Sequence, residues 1–162
     1  MNFQIVNIGH YLSRTGANYL HSLLDNHPQI LTIPGVINFR NLLIKKPSSE
    51  EEAFNIFEKE NPKFFDTSKQ RPTDFPDNGL YNLGENKDDK IIINKEIFKT
   101  NFFSIIKNYA NLSFENIMIS LNLAYGISQQ KKIEDCKVLL LHPHAKDDCI
   151  TFNKLFRESK FL

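Results

Sequence analysis

The chain lacks an excess of charge of either sign. Its 162 residues carry 20 basic and 19 acidic side chains, which leaves a formal net charge of +1. A protein that attracts nucleic acid or an acidic membrane through its overall field needs a clear positive excess. The composition therefore predicts no nucleic-acid partner, and any basic chemistry must be local.

Cysteines and long apolar runs are also scarce. The two cysteines, Cys136 and Cys149, form neither a CxxC pair nor a metal-ligand spacing, so we expect reduced, partly buried thiols. Apolar runs such as Val138 to Leu141 fall far short of the ~20 residues that cross a membrane. Met1 leads almost directly into a strand-like segment, without a secretory leader. These absences predict a cytoplasmic protein with no membrane span.

Apolar runs alternate with helical patterns along the whole chain, which predicts a single α/β domain over residues 1–162 with a parallel sheet. Strands are expected at 3–8, 30–33, 137–141 and from 159 onward. Helices are expected at 16–25, 36–44, 95–109, 114–128 and 146–156, and after a capping box formed by Ser48 with Glu51 or Ser49 with Glu52. Within the first helix, Leu20, Leu23 and Leu24 are predicted to form the buried stripe.

Two segments stand apart from this alternation. Over residues 61–89 the apolar periodicity fades and turn signals such as Asn78-Gly79 appear, which predicts a flexible loop or substrate lid, with simple disorder as the alternative. Residues 159–162 look like the entry to a buried strand. Because a domain rarely ends there, we expect the chain to be the N-terminal part of a longer domain.

The most informative segment runs from Phe3 to Leu24: an apolar run, a polar loop that contains Arg14, then an amphipathic helix. The first N–H groups of a helix have no intrahelical partner, and the helix dipole adds partial positive charge, so an oxyanion is stabilised there. The Arg14 guanidinium suits phosphate or sulfate oxygens. The order of strand, loop and helix therefore predicts an anion site. The alternative is that Arg14 merely caps the loop or pairs with a surface carboxylate.

Familiar nucleotide loops do not fit this segment. A Walker loop has glycines five positions apart followed by Lys and Ser or Thr, whereas Gly9 and Gly16 are seven apart and Ala17 and Asn18 follow. The Rossmann glycine pattern is absent as well. An ATP or GTP loop of these types is therefore not indicated.

The stretch Arg14-Thr15-Gly16-Ala17-Asn18, followed by Leu20, Leu23-Leu24-Asp25 and His27-Pro28-Gln29-Ile30, resembles the 5′-phosphosulfate loop of sulfotransferases. The resemblance implies a three-layer P-loop-like fold and the donor 3′-phosphoadenosine 5′-phosphosulfate, without a metal. It also implies transfer of a sulfuryl group to a small-molecule, carbohydrate or lipid acceptor. The donor-binding residues that it implies are Ser13, Arg14, Thr15, Gly16, Ala17 and Asn18, with Ala17 standing where the family carries a hydroxyl residue.

The catalytic base is less clearly indicated. The same resemblance places Val36 where many relatives carry a base glutamate, and valine cannot accept a proton. His10, His142 and His144 are the remaining candidates, because imidazole titrates near neutral pH. Ordinary turn histidines bonded to backbone carbonyls are the alternative for each. Two histidines without a third ligand do not indicate a zinc site.

The C-terminal stretch carries a second likeness. Residues 141–162 resemble the segment that leads into the family's 3′-phosphate strand, but the arginine-containing motif of that strand is not found. Since ligands of parallel sheets bind beyond the carboxyl ends of the strands, the loop from Gly9 to Asn18 and the turn at His142-Pro143-His144 are expected to share one crevice. The other functions left open are a noncatalytic nucleotide-binding domain of the same fold and a P-loop kinase.

Overall fold

Among the residues that the structure describes, four short strands, β1 (Gln4–Asn7), β2 (Ile30–Leu31), β3 (Val138–Leu141) and β4 (Lys160–Phe161), form one all-parallel sheet in the order β2-β3-β1-β4. The structure is a computed structural model that describes residues 3–9, 16–35, 37–69, 86, 88, 90–143 and 146–162. Gln4 pairs with Val138 and Asn7 with Leu141, so β1 and β3 run side by side along their whole length. All four strands lie where the sequence predicts them.

In the described part of the chain, six α-helices connect and flank these strands: α1 (Ala17–Leu24), α2 (Arg40–Lys45), α3 (Glu50–Glu60), α4 (Lys95–Ile106), α5 (Phe114–Ser128) and α6 (Lys146–Leu155). The same residues include short 3₁₀ helices at Thr67–Lys69 and Ile133–Asp135. The predicted helix at 36–44 is the one that differs most, because α2 begins only at Arg40. Asn38 delays it, since its side-chain oxygen accepts the Arg40 N–H at 3.2 Å in a local turn.

Serine and asparagine caps define where three of the helices begin. Ser49 Oγ accepts the Glu52 N–H at 3.2 Å, while the Glu52 carboxylate accepts both the N–H and the hydroxyl of Ser48 at 2.8 Å. Ser49 is therefore the N-cap, as in the register of Ser49 with Glu52, although the Glu52 carboxylate reaches back to Ser48 and not to the Ser49 N–H. Ser113 caps α5 and Asn94 caps α4 in the same way.

The sheet is covered by helices on both faces. Leu140 points to one side, where it packs with Ile8 and with Ala17 of α1. Leu139 and Leu141 point to the other side and pack with residues of α5 and α6. The continuous apolar run of β3 thus forms a central strand that is buried on both faces, as predicted, and the architecture is α/β with helices flanking a parallel sheet.

A second core, rich in phenylalanine, joins α3, α4 and α5. The rings of Phe54, Phe57, Phe64 and Phe98 are packed with centroids 5.0 to 6.3 Å apart. Phe64 belongs to residues 61–69, the first part of the predicted lid, so this part is packed into the core. Residues 70–85, 87 and 89 of that segment lie outside the described residues, and the mobility predicted for it stays a prediction.

Candidate functional site

The carboxyl ends of three strands meet at one edge of the sheet. Just past β1, the Ile8 N–H donates to Leu141 O at 2.8 Å and the Gly9 N–H donates to Leu162 O at 3.0 Å. The Leu162 N–H in turn donates to Asn7 O at 2.9 Å. The chain therefore leaves β1 into the predicted anion loop at the edge where ligands of parallel α/β sheets bind.

Helix α1 begins against this edge. Gly16 precedes it with φ 79° and ψ 6°, a left-handed conformation that glycine adopts readily, and its carbonyl accepts the Leu20 N–H at 2.9 Å. No side chain caps the helix at Gly16. The first residue of the helix, Ala17, is buried against Ile8 and Leu140. The start of α1 is thus fixed directly beside the ends of β1 and β3.

The start of α1 has the features that an anion needs. Among the described residues other than the two chain neighbours of Gly16, no heavy atom lies within 4 Å of the position that a Cβ on Gly16 would occupy. No acidic residue lies in the first turn of the helix to compete for its amides. A phosphate or sulfonate group therefore fits the donors present, since backbone N–H groups and the positive end of the helix dipole both stabilise it.

The structure describes four of the sequence-predicted site residues and not the others. Ser13, Arg14, Thr15, His10 and His144, together with Val36, lie outside the described residues. Ala17 is buried in the core, which suits its small apolar side chain, and Asn18 is exposed. His142 directly follows β3 and is buried at the carboxyl edge.

A buried chain of hydrogen bonds connects α1 to the ends of β2 and β3. His21 Nδ1 lies 3.0 Å from His142 Nδ1, and His21 Nε2 lies 2.9 Å from the hydroxyl of Thr32. That hydroxyl donates to Leu140 O at 2.8 Å. Exposures of only 2% for His21, 3% for Thr32 and 5% for His142 separate this chain from bulk water. The His142 ring is therefore held by the His21 side chain. It is not a turn histidine that bonds only to the backbone.

Burial also determines the charge of His21. Desolvation lowers the pKa of its imidazole from 6.5 to about 4, because the charged form loses its hydration inside the protein. His21 is consequently neutral at physiological pH. A neutral imidazole offers one donor nitrogen and one acceptor nitrogen, which matches the two contacts that it makes with Thr32 and His142.

Sequence reasoning missed His21 and Thr32 because neither belongs to a loop motif. A signal was present, since helical spacing places Ala17, His21 and Leu24 on one face of α1. The predicted stripe is wrong at Leu23, which is 61% exposed. At about 100° per residue, Leu23 lies away from the face that Ala17, Leu20, His21 and Leu24 turn toward the sheet.

Two cavities accompany the site. One of about 10 Å³, room for roughly one water molecule, lies beside His142, Thr32 and Asn122. A larger one of about 440 Å³ is lined mostly by aliphatic side chains and lies toward the amino ends of β1 and β3, where Phe3 and Ile133 contribute to its wall. Of these two cavities, the small one adjoins the carboxyl edge, and the large one is not part of this site.

Two searches of the described residues give negative findings. In the ranges that the structure describes, no group of three or more His, Cys, Asp or Glu side chains is arranged to hold a metal ion. In the same ranges, no helix is both long and apolar enough to cross a membrane. Comparison of the chain with family models, with curated protein sequences and with solved structures finds no match.

Proposed function

We propose that this chain is a sulfotransferase-like α/β domain. It binds 3′-phosphoadenosine 5′-phosphosulfate through the segment from Gly9 to Asn18 and transfers the sulfuryl group to a hydroxyl or amine of a small-molecule, carbohydrate or lipid acceptor. The reaction class comes from the resemblance of residues 14–30 to the phosphosulfate loop of that family. The structure supports the proposal through the geometry of the anion site alone.

The observation that carries the proposal is the position of the start of α1, beside the ends of the central strands. Among the described residues other than its chain neighbours, nothing lies within 4 Å of a Cβ placed on Gly16, and Ala17 packs against Ile8, which follows β1. An oxyanion bound here receives hydrogen bonds from the first amides of the helix and favourable interaction with its dipole. In the proposal Arg14 adds a permanent positive charge, and Ser13 and Thr15 add hydroxyl donors.

His142 is the proposed proton acceptor, because it directly follows β3 and is buried at the carboxyl end of that strand. In the transfer step, the acceptor oxygen or nitrogen forms a bond to sulfur while the bond from sulfur to the phosphate oxygen breaks. The acceptor proton passes to His142, and 3′-phosphoadenosine 5′-phosphate leaves with the electron pair of the broken bond. Positioning and electrostatic stabilisation provide most of the rate enhancement in such a reaction.

Ligand-dependent melting tests the donor site. A ligand that binds only the folded protein at 100 times its Kd adds about 2.7 kcal/mol to the free energy of unfolding. We expect 3′-phosphoadenosine 5′-phosphate to raise the melting temperature and ATP to leave it unchanged. A shift with ATP alone would indicate a kinase-like nucleotide site, and no shift with either would refute the anion site.

Two arginine variants make the test specific. Arg14→Ala should abolish the melting shift, since it removes the proposed cation of the loop. Arg40→Ala removes an exposed arginine at the start of α2 and is the matched control, for which we expect an unchanged shift. Transfer of labelled sulfur from the donor to an acceptor, or its release as sulfate, then separates an enzyme from a domain that only binds.

A further inference from the structure

Thr32, His21 and His142 form a hydrogen-bonded chain that ends on the Leu140 carbonyl, and this carbonyl determines where the protons lie. The Thr32 hydroxyl lies 2.8 Å from Leu140 O and 3.3 Å from Ile33 O, and a carbonyl oxygen can only accept. The single hydroxyl proton is therefore directed to a carbonyl, chiefly that of Leu140. The hydroxyl oxygen in turn accepts from His21, which requires the proton of His21 to be on Nε2.

The same reasoning extends to His142. Burial keeps His21 neutral, so a proton on Nε2 leaves a lone pair on Nδ1. His142 Nδ1 lies 3.0 Å from that lone pair and must carry the hydrogen that lies between them. A neutral His142 then has its own lone pair on Nε2. The rings meet edge to face, at 73° between their planes, so the contact is a hydrogen bond and not a stack.

We infer that Thr32 and His21 are positioning residues that hold His142 in the Nδ1–H tautomer, so that Nε2 is its proton-accepting nitrogen at the carboxyl edge of the sheet. The use of that nitrogen as the base of sulfuryl transfer rests on the proposed function. The tautomer itself does not. In the transfer step Nε2 takes the acceptor proton as the bond to sulfur forms, and it releases that proton after the bisphosphate product has left.

The direct test is the tautomeric state of each ring, measured by two-bond ¹H–¹⁵N NMR on the labelled full chain near neutral pH. The five histidines are assigned by single His→Gln variants. We expect the proton of His142 on Nδ1 and that of His21 on Nε2, which are opposite tautomers in one protein. A His142 ring protonated on Nε2 alone, or on both nitrogens, would overturn the inference.

A pair of Thr32 variants tests whether the Thr32 hydroxyl sets the tautomer of His142 through His21. Thr32→Ser keeps the hydroxyl and should leave both tautomers as in the wild type. Thr32→Val removes the acceptor for the His21 proton, which then moves to Nδ1 and forces the proton of His142 to Nε2. Retention of the original His142 tautomer in folded Thr32→Val would refute the role of Thr32, and the wild-type spectrum decides the tautomer if this variant does not fold.

Turnover provides a second readout. In Thr32→Val we expect kcat for sulfuryl transfer to fall by roughly a hundredfold, the scale of a lost general base, with KM for the donor unchanged. Thr32→Ser should retain most of the wild-type kcat. Equal kcat in the two variants would contradict the inference. If the wild type transfers nothing, the proposed function fails, whereas the NMR measurement still decides the tautomer because it needs no donor or acceptor.

Discussion

The backbone N–H of Ile33 donates to the side-chain oxygen of Asn122 at 3.0 Å, in the interior of the protein. Ile33 directly follows the segment that carries Thr32, and Asn122 lies in the middle of α5, where its amide also donates to Met118 O at 2.9 Å. This contact ties the backbone just after β2 to the middle of α5. It thereby helps to hold the neighbouring Thr32 within hydrogen-bond distance of His21.

Asn122→Ala should therefore destabilise the fold. The substitution leaves the Ile33 N–H without its acceptor inside the protein, which costs roughly 1–3 kcal/mol of unfolding free energy. Urea denaturation measures the loss. Asn153→Ala, an exposed position in α6, is the control and should change stability by less than about 0.5 kcal/mol. Equal stability of the two variants would show that the contact contributes nothing.

Phe54→Ala should be among the most damaging single substitutions in the aromatic core. The ring is fully buried and packs against Phe65, Phe98 and Phe102 at centroid distances of 6.2 to 6.3 Å. Removal of a buried phenylalanine ring costs about 3–5 kcal/mol, because both apolar burial and packing are lost. The midpoint of urea unfolding should fall accordingly. Ile97→Ala, at a side chain that is 53% exposed, should leave it nearly unchanged.

Gly126→Ala should lower stability, contrary to helix propensity. In an open helix this change gains about 1 kcal/mol. Here a Cβ would lie 2.6 Å from Leu31 Cδ1 and 2.7 Å from Ile133 Cδ1, and overpacking costs roughly 1–3 kcal/mol. Ile133→Val removes one of these methyl groups, so the double variant should lose less than the sum of the two single changes. Thermal unfolding of all four proteins measures this coupling, and simple additivity would argue against the clash.

Acid should destabilise the protein through His21. The pKa of its imidazole is 6.5 when exposed and about 4 in the fold, so between these values the unfolded state binds a proton that the folded state refuses. The free energy of unfolding therefore falls as pH drops from about 6.5 to about 4, by roughly 3 kcal/mol in total.

Urea titrations at a series of pH values measure this dependence. His21→Gln keeps one donor and one acceptor but cannot titrate, so its stability should vary less across the same pH window. His27→Gln changes an exposed histidine and should follow the wild-type curve. A wild-type curve that is flat between these pH values, or one parallel to that of His21→Gln, would contradict the pKa assigned to His21.

Local patterns were sufficient to predict most of the secondary structure. Ser113 begins α5 because its side chain satisfies an amide of the first turn, and this depends on residues that are neighbours in sequence. The apolar run of β3 indicated a central strand for a similar reason, since a strand buried on both faces cannot alternate. The prediction failed where distant contacts intervene, as at α2, where Asn38 also donates its N–H to Asn61.

The sequence by itself determined the order of strands and helices and the caps at the helix starts, because each depends on short-range chemistry. The anion loop that it indicates before α1 stays a prediction. Only the tertiary structure decided that His21 meets His142 and Thr32, which are 121 and 11 residues away along the chain. Such a contact depends on the register of β2 and β3 and on the face that α1 turns toward the sheet. These are set by the packing of the whole core, and no local pattern encodes them.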